Sequence, residues 1–153
     1  MPDMNPQGNV FLIGPMGAGK TTIGRHLATL LDKQFADADH EVEKRTGVSI
    51  PVIFEIEGEA GFRRRESAVI DEITRGRDLV LATGGGAVLL EENRKLLKER
   101  GTVVYLQADI ETLVERTRRD RNRPLLQTGD ARGKIEELLR QREPIYRALA
   151  DVI

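Results

Sequence analysis

The chain has 153 residues with 39% hydrophobic content, enough for an ordinary packed core, and one domain spanning residues 1–153 is expected. Net charge is −1 with 32% charged residues, so no overall positive excess favours nucleic acid or an anionic membrane, and the lack of cysteine excludes disulfides and thiolate metal sites. No run approaches the roughly 18 apolar residues of a spanning helix and the polar residues 1–8 lack a signal peptide's apolar segment, so no membrane partner and a cytoplasmic location are expected.

Asn9-Val10-Phe11-Leu12-Ile13 reads as a buried parallel strand, and Ile23, Leu27, Leu30 and Leu31 follow helical spacing. Between them, Gly14-Pro15-Met16-Gly17-Ala18-Gly19-Lys20-Thr21 fits G-x-x-x-x-G-K-[ST], a phosphate-binding loop. Its glycines let successive N–H groups converge on an anion, and the following helix adds partial positive charge. Lys20 then reaches the outer phosphates, and Thr21 offers a hydroxyl to Mg²⁺ riding on a nucleotide. A flexible glycine turn with an exposed lysine is the bland alternative.

Residues 33–39 form a second short strand ending in Asp37 and Asp39, at the carboxyl end where open α/β sheets bind ligands. If the strand runs through both, they point differently, one toward the nucleotide metal and one toward a second substrate. Asp39 also stands where an N-cap is expected, ahead of a helix stopped by Gly47. Ser49 and Pro51 open a further short helix that Gly58 ends.

The next helix carries Gly61-Phe62-Arg63-Arg64-Arg65-Glu66. Three consecutive arginines span about 200° of a helix, so at most one or two face inward, and Arg64 and Arg65 read as a solvated face. The third strand, 78–82, runs into Thr83-Gly84-Gly85-Gly86, where glycines at a strand end allow a ligand close to the backbone. A helix holding Leu89, Leu90, Leu96 and Leu97, a fourth strand over 102–106 and a helix capped by Asp109 follow. Alternating strands and helices imply a doubly wound parallel sheet.

The helix after Asp109 turns basic through Arg116 to Arg123. Residues 120–131 are polar and aperiodic, which suggests a loop that is poorly ordered alone and closes its arginines over a triphosphate. A nucleic-acid patch is the rival, disfavoured by the absence of interleaved aromatics. A last helix, 133–151, carries Arg142, Pro144 and Tyr146, with a kink expected at Pro144.

Taken together the motifs resemble shikimate kinase from the first strand to the final residue: the phosphate loop, Asp37-x-Asp39, Gly61-Phe62-Arg63, Gly84-Gly85-Gly86, Arg123-Pro124-Leu125-Leu126 and Arg142-x-Pro144-x-Tyr146. The resemblance implies an α/β P-loop kinase fold like that of nucleoside monophosphate kinases, with helices on both faces of the sheet, a mobile lid over 120–131 and an acceptor region over 39–66. It implies phosphoryl transfer from ATP to shikimate by a monomer, with Mg²⁺ as cofactor. The implied ATP-binding set is Gly17, Ala18, Gly19, Lys20, Thr21, Thr22, Arg116 and Arg123, with Arg116 against the adenine. Shikimate falls to Asp39, Arg63, Gly84, Gly85, Gly86 and Arg142, the metal to Thr21 and Asp37, and catalysis to Lys20, Asp39 and Arg123. Family members continue with a fifth strand, an adenine-contacting loop and a closing helix, whereas this sequence stops at Val152-Ile153, where that strand begins. Two other functions fit less well: a related small kinase acting on gluconate or a nucleoside monophosphate, and a nucleotide-responsive module without transfer activity.

Overall fold

The computed structural model describes residues 7–119 and 131–153. Four strands, β1 (Val10–Ile13), β2 (Gln34–Asp37), β3 (Leu79–Ala82) and β4 (Thr102–Tyr105), form a fully parallel sheet in the order β2-β3-β1-β4. Among the described residues six helices alternate with them: α1 (Lys20–Leu31), α2 (Ala38–Thr46), α3 (Ile50–Ile73), α4 (Glu91–Arg100), α5 (Ile110–Arg119) and α6 (Ala131–Leu149). A 3-10 turn, Ala87–Leu89, precedes α4. The α/β parallel architecture expected from the alternation is the one observed. At the free edge of β4, Val152 makes a parallel bridge to Val104.

The strands are short apolar runs because both faces are covered. Phe11 and Ile13 of β1, Leu81 of β3, and Val103 and Tyr105 of β4 point into one core with Val42 of α2, Ile70 of α3, Leu97 of α4 and Tyr146 of α6. The alternate residues Leu12 and Val80 point to the opposite face, where Ala28 of α1 meets them. Complete burial of side chains such as Phe11, Leu12 and Ile13 contributes about 1.5–3 kcal/mol each.

Helix α1 departs from the expected amphipathic stripe. Ile23, Leu30 and Leu31 are exposed, and the buried positions are Lys20, Gly24 and Ala28. The helix lies so close to the sheet that a Cβ on Gly24 would come within 2.6 Å of the Phe35 ring and 3.1 Å of Leu12. Small residues therefore face the sheet with Leu27 half-buried beside them, while Ile23, Leu30 and Leu31 are displaced outward. The two helices expected on either side of Gly58 are joined end to end as α3, with the backbone broken out of helical geometry at that glycine. Helix α6 continues through Pro144 to Leu149.

Candidate active site

Residues that follow the carboxyl ends of β1, β2 and β3 line a cleft of about 450 Å³. Gly17, Gly19, Lys20, Thr21, Thr22 and Arg116 line it together with Asp37, Asp39, Gly84 and Gly85. Met16 and Thr83, which motif reasoning does not single out, also border it.

The phosphate loop is shaped by left-handed backbone at Gly17 (φ 85°) and Gly19 (φ 94°), conformations that side chains disfavour. Ala18 between them is buried and packs on Leu113 of α5 and Ile135 of α6, anchoring the loop from below. Lys20 is 9% exposed, and its Nζ donates to the carbonyls of Gly14 at 2.6 Å and Pro15 at 2.9 Å. The Arg116 guanidinium donates to Gly17 O at 2.8 Å, bringing α5 onto the loop across 99 positions of sequence. Arg123 and residues 120–130 of the expected lid lie outside the described residues.

The two aspartates divide their work differently from the expectation. β2 ends at Asp37, and Asp37, not Asp39, is the N-cap of α2: its Oδ1 accepts from His40 N–H at 3.0 Å. Its Oδ2 accepts from the Thr21 hydroxyl at 2.5 Å. Asp39 lies in the first turn of α2, where helical backbone rather than strand alternation turns it toward Gly84. A Cβ on Gly84 would come within 2.8 Å of both Asp39 Oδ1 and Glu66 Oε2.

Behind the glycines stand the two arginines 79 positions apart in sequence. Arg63 is inward while Arg64 and Arg65 are exposed, and Arg65 pairs with Glu57 at 2.6 Å. A Cβ on Gly86 would overlap the Arg63 guanidinium, and one on Gly85 would come 3.6 Å from Arg142 Nη1. The structure therefore brings Arg63 and Arg142 to the same turn, although neither forms part of the main cleft wall.

Sequence reasoning offers Glu66 only as a surface partner for Arg63, not as a buried group. Its side chain is fully buried, and Oε1 accepts from Arg63 Nη1 at 2.9 Å, while Oε2 makes no hydrogen bond among the described residues. Burial pushes its pKa up to about 7, against the pull of Arg63 and with a further push from Asp39. The one available signal was the three-residue spacing to Arg63, which places both on one helix face.

A pH dependence follows. Because the folded protein holds this proton more tightly than an unfolded chain, the associated stability is complete below about pH 4.5 and is lost as pH rises through about 7. Between about pH 5 and about pH 8 the loss should amount to about 2–3 kcal/mol. Denaturant unfolding of parent and Glu66→Gln at both pH values isolates the effect, since glutamine removes the titration. Identical pH slopes for the two proteins would refute it.

The family profile of shikimate kinase (SKI) matches residues 16–153. The shikimate kinase of Bordetella avium is 61% identical over 144 residues, covering 94% of this chain and 69% of that protein. That of Methylococcus capsulatus is 60% identical over 150 residues, covering 98% and 84%. The structure of shikimate kinase from Acinetobacter baumannii in complex with shikimate superposes with a TM-score of 0.94 at 54% identity, covering 97% of this chain and 83% of that one. With the phosphate loop, the aspartates, the buried arginines and the glycine turn assembled as described, the chain belongs to the shikimate kinase family.

Proposed function

We propose that the family's reaction, transfer of the γ-phosphoryl group of ATP to the 3-hydroxyl of shikimate to give shikimate 3-phosphate and ADP, runs here across the cleft between the phosphate loop and the glycine turn. The observation that carries this assignment is that the loop, Asp39 and Gly84–Gly85 border one cavity. Shikimate bound to the Acinetobacter baumannii relative supports the acceptor.

On the nucleotide side, the backbone from Gly17 through Ala18 and Gly19 to Thr22 cradles the phosphates, and Lys20 neutralises charge on the transferring group. Arg116 lies against the adenine, and Arg123 closes over the phosphates from the lid. On the acceptor side, Arg63 and Arg142 take the carboxylate, whose two oxygens accept several directed N–H bonds. Asp39 takes a pair of hydroxyls and aligns the 3-hydroxyl for in-line attack, and Gly84, Gly85 and Gly86 leave room for the ring beside the backbone. Alignment outweighs proton removal, because an ordinary carboxylate is a weak base.

The donors at the loop mouth fit Mg²⁺. The Thr21 hydroxyl and the Asp37 carboxylate are hard oxygen donors already 2.5 Å apart, and an ion that keeps most of its waters needs few protein ligands. Thr21 would hold it directly and Asp37 through water, and the bound ion would supply neutralisation of phosphate charge. No helix among the described residues is long and apolar enough to cross a membrane; the proposed setting is a cytoplasmic, monomeric single domain.

ADP release by the purified protein with MgATP is the test. Turnover is expected with shikimate and absent with gluconate, nucleoside monophosphates or no acceptor. Equal turnover with gluconate or a nucleotide acceptor would move the chain to another small-molecule kinase, and nucleotide binding without any turnover would make it a binding module.

A further inference from the structure

We infer that Tyr146 is a positioning residue for the acceptor half of the site: its hydroxyl holds the central peptide of the glycine turn in the orientation that meets shikimate. The inference rests on the assignment of that turn to shikimate and adds a residue that the assignment leaves without a role.

Tyr146 is fully buried, and its Oη donates to Gly85 O at 2.6 Å across 61 positions of sequence. The turn is fixed by its three carbonyls. Gly84 O accepts from Ala87 N–H and Gly86 O from Leu89 N–H, each at 3.1 Å, so the two outer peptides are held by local backbone bonds. The middle carbonyl has the Tyr146 hydroxyl as its bonded partner. Three successive glycines form the most permissive backbone available, so a peptide left without that bond has many orientations to sample. All peptides here are trans, which sets a carbonyl antiparallel to the following N–H. Holding Gly85 O therefore also aims Gly86 N–H.

The hydroxyl is itself well placed to act as a fixed point. The Tyr146 ring packs on the Tyr105 ring with centroids 5.0 Å apart, inside the principal core. Burial raises its pKa to about 12, so it remains a donor at physiological pH. Tyr146 follows Arg142 by one helical turn on α6, so the same helix that presents the arginine locks the glycine beside it. A Cβ on Gly85 would lie 3.4 Å from Met16, which places the held peptide directly against the phosphate loop.

Tyr146→Phe removes the hydroxyl and keeps the ring. Calorimetric titration is expected to show shikimate binding weakened about five- to twentyfold, with ADP binding within about twofold of the parent, and a KM for shikimate that rises more than kcat falls. Tyr105→Phe, which alters the same ring pair without touching the turn, should bind shikimate like the parent. A folded Tyr146→Phe with parental shikimate affinity overturns the inference. Shikimate and ADP affinities falling by the same factor also overturn it, since that is the signature of general loosening. If the parent protein itself fails to bind shikimate, the acceptor assignment falls first and takes the inference with it. Should Tyr146→Phe not fold, the Tyr146 hydroxyl proton in the parent protein carries the test by NMR. A shift on adding shikimate but not ADP supports the role; no shift, or an equal shift with ADP, overturns it.

Discussion

Lys20→Ala is expected to lower single-turnover phosphoryl transfer by about 10²–10³ while shikimate affinity stays within about twofold. In the structure the ammonium is buried at the cleft floor and bonded to the carbonyls of Gly14 and Pro15, inside the loop that would receive the phosphates. Its loss therefore removes a charge and also releases two carbonyls that it pins. A charge-assisted hydrogen bond contributes about 1.5–3 kcal/mol in binding, and a preorganised donor to a transition state about 3–4 kcal/mol. The larger figure corresponds to the stated loss of rate. Shikimate meets the opposite wall in the proposed assignment, so its affinity is the internal control. A variant transferring within about tenfold of the parent would remove Lys20 from the chemistry, because tenfold is only about 1.4 kcal/mol.

The phosphate loop was legible in the sequence because its function is written in backbone geometry, and the glycine spacing reports that geometry directly. The strands were legible for a similar reason: two covered faces demand continuous apolar runs such as Val10–Ile13 and Leu79–Ala82. What failed was reasoning that treated helices as isolated objects. Spacing put Ile23, Leu27, Leu30 and Leu31 of α1 inward, but the helix packs so closely on the sheet that Gly24 and Ala28 take the contact, and of the four only Leu27 is half-buried there. Likewise Asp37 and Asp39 exchanged the capping role because α2 begins at Ala38, sooner than the strand reading allowed. Neither outcome is encoded within a single element.

Long-range partnerships were the least legible. Nothing local ties Tyr146 to Gly85, or Arg116 to Gly17, and both bonds exist because α5 and α6 pack under the phosphate loop through Ala18, Leu113 and Ile135. The expectation that Arg63 and Arg142 belong together came from the resemblance alone. The structure adds a physical reason: α3 and α6 both pack against the turn that follows β3.

Replacing Arg63 or Arg142 by lysine is expected to weaken shikimate binding by about 1–3 kcal/mol each, roughly 5- to 150-fold, with ATP affinity unchanged. Lysine keeps the charge and loses the planar fork, so a loss of this size measures directed bonds to the carboxylate rather than attraction at a distance. The bland alternative is that both arginines serve surface pairs with neighbouring glutamates, each worth at most about 1 kcal/mol. The structure argues against that for Arg142, which is 5% exposed, while Glu143 is taken by Arg147 at 2.8 Å. For Arg63 the pair with Glu66 is real but buried, with side chains 11% and 0% exposed. Besides a longer 3.5 Å pair with exposed Glu59, Arg63 thus has two claims on it, the Glu66 carboxylate and the carboxylate of the proposed substrate. Its five N–H donors can serve both at once, whereas a lysine ammonium, a compact point charge, lacks the fork to do so. The two substitutions should also be non-additive in a double-mutant cycle on shikimate affinity, with a coupling of at least about 0.5 kcal/mol, because both groups act on one ligand. If both lysine variants fold and bind shikimate with parental affinity, the carboxylate is held elsewhere and the acceptor assignment loses its main support.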